Sequence, residues 1–215
     1  MRTDTPYAPI RRIGAEEHET VVGVLVEAFR DDPFVEWLFP EPAGRSERQA
    51  GYYHSLLAHP AAEAYLSGRD GVAVWIGSAG GPEPSGAPSG APDAEVDAGP
   101  EPADRLRAVG AALAGRHPAD RPHLYLAVMG VVARRRGGGL GSELLRHRLR
   151  RAGYDAVGAY LEAASPRSRA LYLRHGFEDF GPPVQLRRGP ALFPMWRPPT
   201  ARTTSVPTLQ RSTRP

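Results

Sequence analysis

Residues 129–142 read Met129-Gly130-Val131-Val132-Ala133-Arg134-Arg135-Arg136-Gly137-Gly138-Gly139-Leu140-Gly141-Ser142. An apolar strand over 123–132 runs into a glycine turn, and the turn runs into an amphipathic helix over 139–151. Leu140, Leu144, Leu145 and Leu149 fall on one face of that helix. The first backbone N–H groups of a helix have no partner inside it and converge on one spot, where the helix dipole favours negative charge. Glycines let a ligand reach those groups without meeting side chains, so the junction suits an anion such as a diphosphate. The plain alternative is a flexible turn. Against it, glycine costs about 1 kcal/mol per helical position, a loss that backbone access would explain. Arg134, Arg135 and Arg136 place positive charge nearby. A dinucleotide fingerprint would want G-x-G-x-x-G near a first strand, and a phosphate loop would want a lysine.

The composition excludes much else. The chain has 215 residues, 41% hydrophobic and 24% charged, which is enough for one domain with a real core. Cysteine is absent, which removes disulfides, cysteine metal sites and a cysteine nucleophile, and fits a reducing compartment. All 27 basic residues are arginine, so no Schiff-base lysine exists. The net charge of +3 comes from the end of the chain: Arg197, Arg202, Arg211 and Arg214 face no acid there, leaving 23 arginines against 24 acids elsewhere. No stretch approaches the ~18 apolar residues of a membrane span, and the first ten residues have no apolar signal core. A cytoplasmic location with no membrane partner is expected.

Working outward, residues 7–12 read as a short strand and 16–30 as a helix with Glu16, Glu17 and Glu19 in its first turn. Asp32 before Pro33 ends that helix. Residues 34–39 read as a short apolar turn, 45–58 as a helix and 71–76 as a strand. Segment 77–104 holds six prolines, six glycines and six acids among 28 residues and no arginine. It reads as a disordered acidic insertion. A helix over 105–115, a strand over 157–163, a helix over 166–175 and two strands around 177–187 and 191–196 complete a domain over 7–197. A disordered basic tail over 198–215 follows.

The run from His123 through Arg136-Gly137-Gly138-Gly139-Leu140-Gly141-Ser142 resembles the coenzyme A motif of the GNAT superfamily of N-acetyltransferases. That signature is Gln or Arg, two residues, Gly, one residue, then Gly or Ala; Arg136, Gly139 and Gly141 fill the places. A second block also matches, with the strand Tyr160-Leu161-Glu162-Ala163, then Ser165-Pro166, then Ala170-Leu171-Tyr172-Leu173-Arg174-His175-Gly176-Phe177. The ending over 189–196 is similar to the last strand of one small-molecule subset. Strong matching spans about 122–197, and weaker matching reaches the helices within 16–58.

The resemblance implies an α/β (mixed α+β) fold: a mixed, mostly antiparallel sheet of six or seven strands flanked by about four helices. It implies an acetyl-CoA cosubstrate without a metal, and transfer of acetyl to a primary amine of a small molecule in a ternary complex. Met129, Val131, Arg136, Gly137, Gly138, Gly139, Gly141, Ser142 and Ser165 match the coenzyme-binding positions. Tyr172 matches the family acid that protonates the leaving thiolate, although a core tyrosine is the bland alternative. Three positions depart from the pattern. Ser165 replaces a usual asparagine and caps a helix, Ala133 replaces a proline, and Tyr125 stands where many members have a glutamate base. Glu162, His123, Glu36 and a water chain are the remaining candidates for that base, with Glu162 carried forward as the weak choice.

The front half, 29–65, is expected to shape the acceptor site. Its Asp31, Asp32, Glu36, Trp37, Tyr52 and Tyr53 favour a cationic, partly apolar amine. Two rivals stand. One is a protein of the same fold that binds acyl-CoA without acetylating a small molecule. The other is a nucleic-acid module built on Arg134–Arg136, Arg146, Arg148, Arg150 and Arg151, but those helix arginines read as a solvated face with no aromatic platform between them. The expected partner is the amine alone, with no nucleic acid, and the expected assembly is a monomer or homodimer.

Overall fold

The apolar run Val72-Ala73-Val74-Trp75 is buried on both faces of a sheet, and that double burial sets the layering. The computed structural model describes residues 7–80, 101–118 and 120–200. Among them eight strands form one sheet: β1 (Ile10–Arg12), β2 (Ala62–Ser67), β3 (Gly71–Ser78), β4 (His123–Val131), β5 (Gly158–Ala163), β6 (Glu178–Asp179), β7 (Val184–Gln185) and β8 (Ala191–Arg197). Six α-helices accompany it: α1 (His18–Ala28), α2 (Pro33–Leu38), α3 (Arg45–Leu57), α4 (Pro102–Ala114), α5 (Leu140–Asp155) and α6 (Pro166–Leu173). The strand order is β1-β2-β3-β4-β5-β8-β6, with β7 beside β8. Every pairing is antiparallel except β4 with β5.

Side chains alternate along β3, so its two faces feed two cores. Val72 and Val74 pack with Val21 and Leu25 of α1 and Leu57 of α3. Ala73 and Trp75 pack with Leu140, Leu144, Leu145 and Leu149 of α5, the stripe anticipated from the sequence. A third cluster joins Val35 and Leu38 of α2, Val109 of α4 and Leu192 of β8. No helix among the described residues is long and apolar enough to cross a membrane.

Several local expectations need correction. Residues 33–38 form a helix, not an apolar turn, because Asp32 caps it: Oδ1 accepts from the Phe34 N–H at 3.0 Å and the Val35 N–H at 3.1 Å, with Pro33 at the first helical position. The strand β2 was not anticipated. Its Glu63 breaks the apolar pattern, yet Glu63 takes a 2.8 Å ion pair from Arg148 and a 3.0 Å hydrogen bond from the Tyr65 hydroxyl. Arg148, read as part of a solvated face, is therefore 7% exposed. The proposed disordered insertion over 77–104 is too wide at both ends: Gly77 and Ser78 pair with Leu124 and His123, and Pro102 to Asp104 open α4. Its middle, 81–100, and the tail from 201 to 215 lie outside the described residues.

Gly130 lets the end of α1 pack closely on β4. A Cβ there would sit 2.8 Å from Phe29 Cε2 and 2.9 Å from Ala28 Cβ. Gly130→Ala should therefore destabilise by about 1–3 kcal/mol through overpacking. Gly23 in α1 has open space around it. Gly23→Ala should stabilise by up to about 1 kcal/mol through helix propensity. Urea unfolding of the two variants beside the parent checks both signs.

Candidate active site

Two strands that begin side by side come apart at the centre of the sheet. The parallel ladder of β4 with β5 covers only His123, Leu124 and Tyr125 against Gly158, Ala159 and Tyr160, although β4 continues to Val131. The cause lies on the other edge of β4. Its register with β3 steps from Val74↔Val128 to Trp75↔Leu126, so Ala127 is an extra residue. Such a bulge bends its strand and increases the local twist. Beyond Tyr125 the β5-facing edge of β4 has no strand partner among the described residues, and a wedge opens.

An outer cleft of about 530 Å³ lies between the end of α1, the glycine turn and α6. An inner cavity of about 200 Å³ lies behind it. The two share Phe29, Asp32, Met129, Ser165, Ser168 and Tyr172 in their walls.

The outer cleft is lined by Met129, Val131, Arg136, Gly137, Gly139, Gly141, Ser142 and Ser165, all of them singled out in the sequence; Gly138 does not line it. Gly137 and Gly139 have φ of +83° and +88°, the left-handed region where a side chain is strained. Gly139 precedes the first turn of α5 and supplies no side-chain cap, so the N–H groups of Leu140, Gly141 and Ser142 stay available at the cleft. At Gly141 a Cβ would meet only Leu171 Cδ2 at 3.5 Å and Met129 Cε at 3.9 Å.

The three arginines contribute less charge than their sequence suggests. Arg134 pairs with Glu27 and with Asp70, and Arg135 holds Asp70 at 3.0 Å. Arg136 donates to the Val131 carbonyl at 3.1 Å and to the Ala28 carbonyl. It clamps the start of the turn to the end of α1. The attraction for an anion therefore rests mainly on backbone amides.

Tyr172 sits on α6, whose start is fixed by a reciprocal cap. Ser165 Oγ accepts from the Ser168 N–H at 3.1 Å, and Ser168 Oγ accepts from the Ser165 N–H at 3.1 Å. The Tyr172 ring packs edge-on against Phe177 with centroids 5.8 Å apart. Burial pushes its phenol pKa up, so it stays protonated well past neutral pH.

Glu162 is the one candidate base that reaches the inner cavity. Its side chain is 7% exposed; Oε2 accepts from the Tyr125 hydroxyl at 2.9 Å, and Oε1 lies 3.4 Å from His117 Nε2. The structure thus returns a carboxylate to the side of Tyr125, where the sequence showed none. Burial and the Glu162 charge push Tyr125 well above the usual tyrosine range, and the same two causes bring Tyr52 up to about 12. His123 is buried beside Tyr160 and Trp196 with Nδ1 3.1 Å from the Arg121 carbonyl, and it lines neither cavity. Glu36 pairs with Arg45 at 3.6 Å and faces, with Trp37, a separate groove. Of the other front-half residues, Asp32, Tyr52 and Tyr53 line the inner cavity and Asp31 the outer cleft. His117 carried no sequence signal, since it reaches Glu162 only through the tertiary path of the loop after α4.

The model of the Acetyltransferase (GNAT) family matches residues 102–177, the span from α4 through α6, which contributes the glycine turn, Glu162 and Tyr172 to the two cavities. Residues 102–177 match a GNAT acetyltransferase domain, and the chain has the GNAT fold. A solved structure described as histone acetyltransferase HPA2 and related acetyltransferase, from Corynebacterium glutamicum, is similar at 27% identity and TM-score 0.65, covering 92% of this chain and 99% of that one. Arylalkylamine N-acetyltransferase 2 of Aedes aegypti shares the GNAT fold at 14% identity and TM-score 0.62, over 88% of this chain and 98% of its own. The ribosomal-protein-S18-alanine N-acetyltransferase of Escherichia coli does so at 12% identity and TM-score 0.52, over 92% and 97%. Among curated proteins none matches the chain in sequence. Among the described residues no three His, Asp or Glu side chains gather in a group able to hold a metal ion.

Asp32 stands where the two cavities meet. Burial raises its carboxyl pKa, opposed by the Val35 and Phe34 amides and by Arg136. A raised carboxyl gives stability that is complete below about pH 4, the unfolded value, and is lost as pH rises through the folded one. Asp32→Asn keeps an acceptor for the cap and removes this loss, so its Tm relative to the parent should be higher at pH 7 than at pH 4. Asp32→Ala also loses the cap, at a cost of about 0.5–2 kcal/mol. Thermal unfolding at both pH values checks this.

Proposed function

We propose that this GNAT-fold protein transfers the acetyl group of acetyl-CoA to a primary amine of a small molecule by direct attack in a ternary complex. One observation carries the reading: a cavity holding a buried carboxylate opens, past a protonated tyrosine, onto a cleft with uncapped helix amides. These residues fit acetyl-CoA. The N–H groups of 137–142 would hold its diphosphate, and the backbone at Met129 and Val131 would hold its pantetheine arm. Ser165 lines the same cleft, but its hydroxyl is engaged in the cap of α6. Bound there, acetyl-CoA supplies the thioester.

The chain's own groups handle the protons. A protonated amine cannot attack, so a base must first take its proton. Glu162 does this from inside the cavity, held in place by the Tyr125 hydroxyl and by His117. Tyr172 donates its proton to the departing thiolate. Its raised pKa keeps that proton available across the working pH range.

Two variants test this reading. Tyr172→Phe keeps the ring against Phe177 and deletes only the hydroxyl. Since acid catalysis contributes about 10²–10⁴-fold and the thiolate is a fair leaving group, kcat should fall at least about tenfold with acetyl-CoA affinity nearly unchanged. An unchanged kcat with a lowered Tm would make Tyr172 a core residue only.

Gly141→Asp adds an acid to the first turn of α5, where the dipole favours it, so the fold should persist. The same carboxylate would occupy the anion cradle. Calorimetry should show acetyl-CoA binding abolished, and retained affinity would misplace the diphosphate.

A further inference from the structure

The acyl-transfer reading leaves the acceptor open, and the inner cavity narrows it. At about 200 Å³ it falls below the ~300 Å³ at which pockets begin to hold drug-sized ligands. Its lining is of two kinds. Glu162 presents a buried carboxylate whose Oε1 makes no hydrogen bond and has His117 Nε2 3.4 Å away. An apolar wall is made by Phe34 and Leu38 of α2, Val109 and Leu113 of α4, and Leu192 of β8, while Gln49, Tyr52 and Tyr53 also line the cavity. That wall belongs to the third core cluster.

The other acid of the cavity, Asp32, has its Oδ1 committed to two amides at the start of α2. Nothing in the apolar wall can receive a second ammonium, and a charge buried there without a partner would be strongly disfavoured. A peptide would bring amide groups to the same wall, which has no acceptors or donors for them. An apolar substituent, in contrast, gains about fourfold in binding for every CH₂ it buries.

Resting on the acyl-transfer reading, we infer that the acceptor is a compact monoamine bearing one aromatic or branched alkyl group. Its ammonium faces Glu162, and its substituent packs against Phe34, Leu38, Val109, Leu113 and Leu192. The cavity selects by volume and by a single charge. Polyamines are disfavoured by their second charge, and lysine side chains of peptides by the bulk and amide groups of the chain that carries them.

The test uses the full chain, with acetyl-CoA affinity from calorimetry and turnover from released thiol. The amines are 2-phenylethylamine, isoamylamine, 2-(1-naphthyl)ethylamine, ethylamine, spermidine and a lysine peptide. The kcat/KM for 2-phenylethylamine should exceed those of ethylamine and spermidine by at least about tenfold, as burial of several CH₂ equivalents requires. Leu113→Trp fills the apolar side and should shrink the phenylethylamine-to-ethylamine ratio by about tenfold or more. Leu113→Ala enlarges it and should raise the rate with 2-(1-naphthyl)ethylamine relative to 2-phenylethylamine. This second variant keeps the wall testable if the tryptophan one does not fold.

If acetyl-CoA binds but spermidine or the peptide is the better acceptor, or none of the amines is turned over, the inference falls while coenzyme binding stands. Ratios unmoved in both Leu113 variants overturn the placement of the substituent. If acetyl-CoA does not bind at all, the acyl-transfer reading falls first and takes this one with it.

Discussion

One extra residue in one strand sets the geometry of everything that follows. Ala127 interrupts the register between β3 and β4, and after Tyr125 the strand leans away from β5. A sheet normally closes its hydrogen bonds, because an unpaired buried backbone group is costly. Here one edge of β4 has no strand partner among the described residues, and both cavities occupy the wedge it opens. Such a gap persists only if its flanks are rigid. Double burial of β3 on α1 and α5 supplies one flank, and the antiparallel pairing of β5 with β8 supplies the other.

The glycine turn and the leucine stripe of α5 were legible because both are local: backbone freedom at one end, helical period at the other. The part of the cleft lined by 129–142 followed from the same run, with Gly138 the exception. Other features depended on partners distant in sequence. The strand β2 hides its character behind Glu63, which is acceptable in a half-buried strand because Arg148, 85 residues later, comes to meet it. The helix α2 was legible in principle, since Asp32-Pro33 is a strong start signal, but the same dipeptide also ends the preceding helix. It does both.

The candidate site shows the same division. Tyr172 is singled out by the resemblance of 170–177 to a family block, since its short helix between Ser165-Pro166 and Gly176 suits a core tyrosine equally well. Glu162 could be chosen only weakly over His123 and Glu36, because only the folded chain shows that those two face elsewhere. The arginine run illustrates the limit most clearly. In sequence it is a dense positive patch; in the fold Glu27 and Asp70 meet two of the three, and two carbonyls take the third. Charge counted along a chain says little about the field at a site until its counter-charges are placed.

The clamp made by Arg136 bears on motion. One guanidinium holds the carbonyl of Ala28, at the end of α1, and the carbonyl of Val131, at the end of β4. The first helix and the glycine turn are thereby hinged to each other like two boards of a book, with the cleft between them and α6 as the opening. Any breathing of α1 away from the sheet must carry the turn along or break that hinge. The width of the entrance is thus governed from a helix about a hundred residues upstream, whose own packing on Gly130 leaves it little room to move.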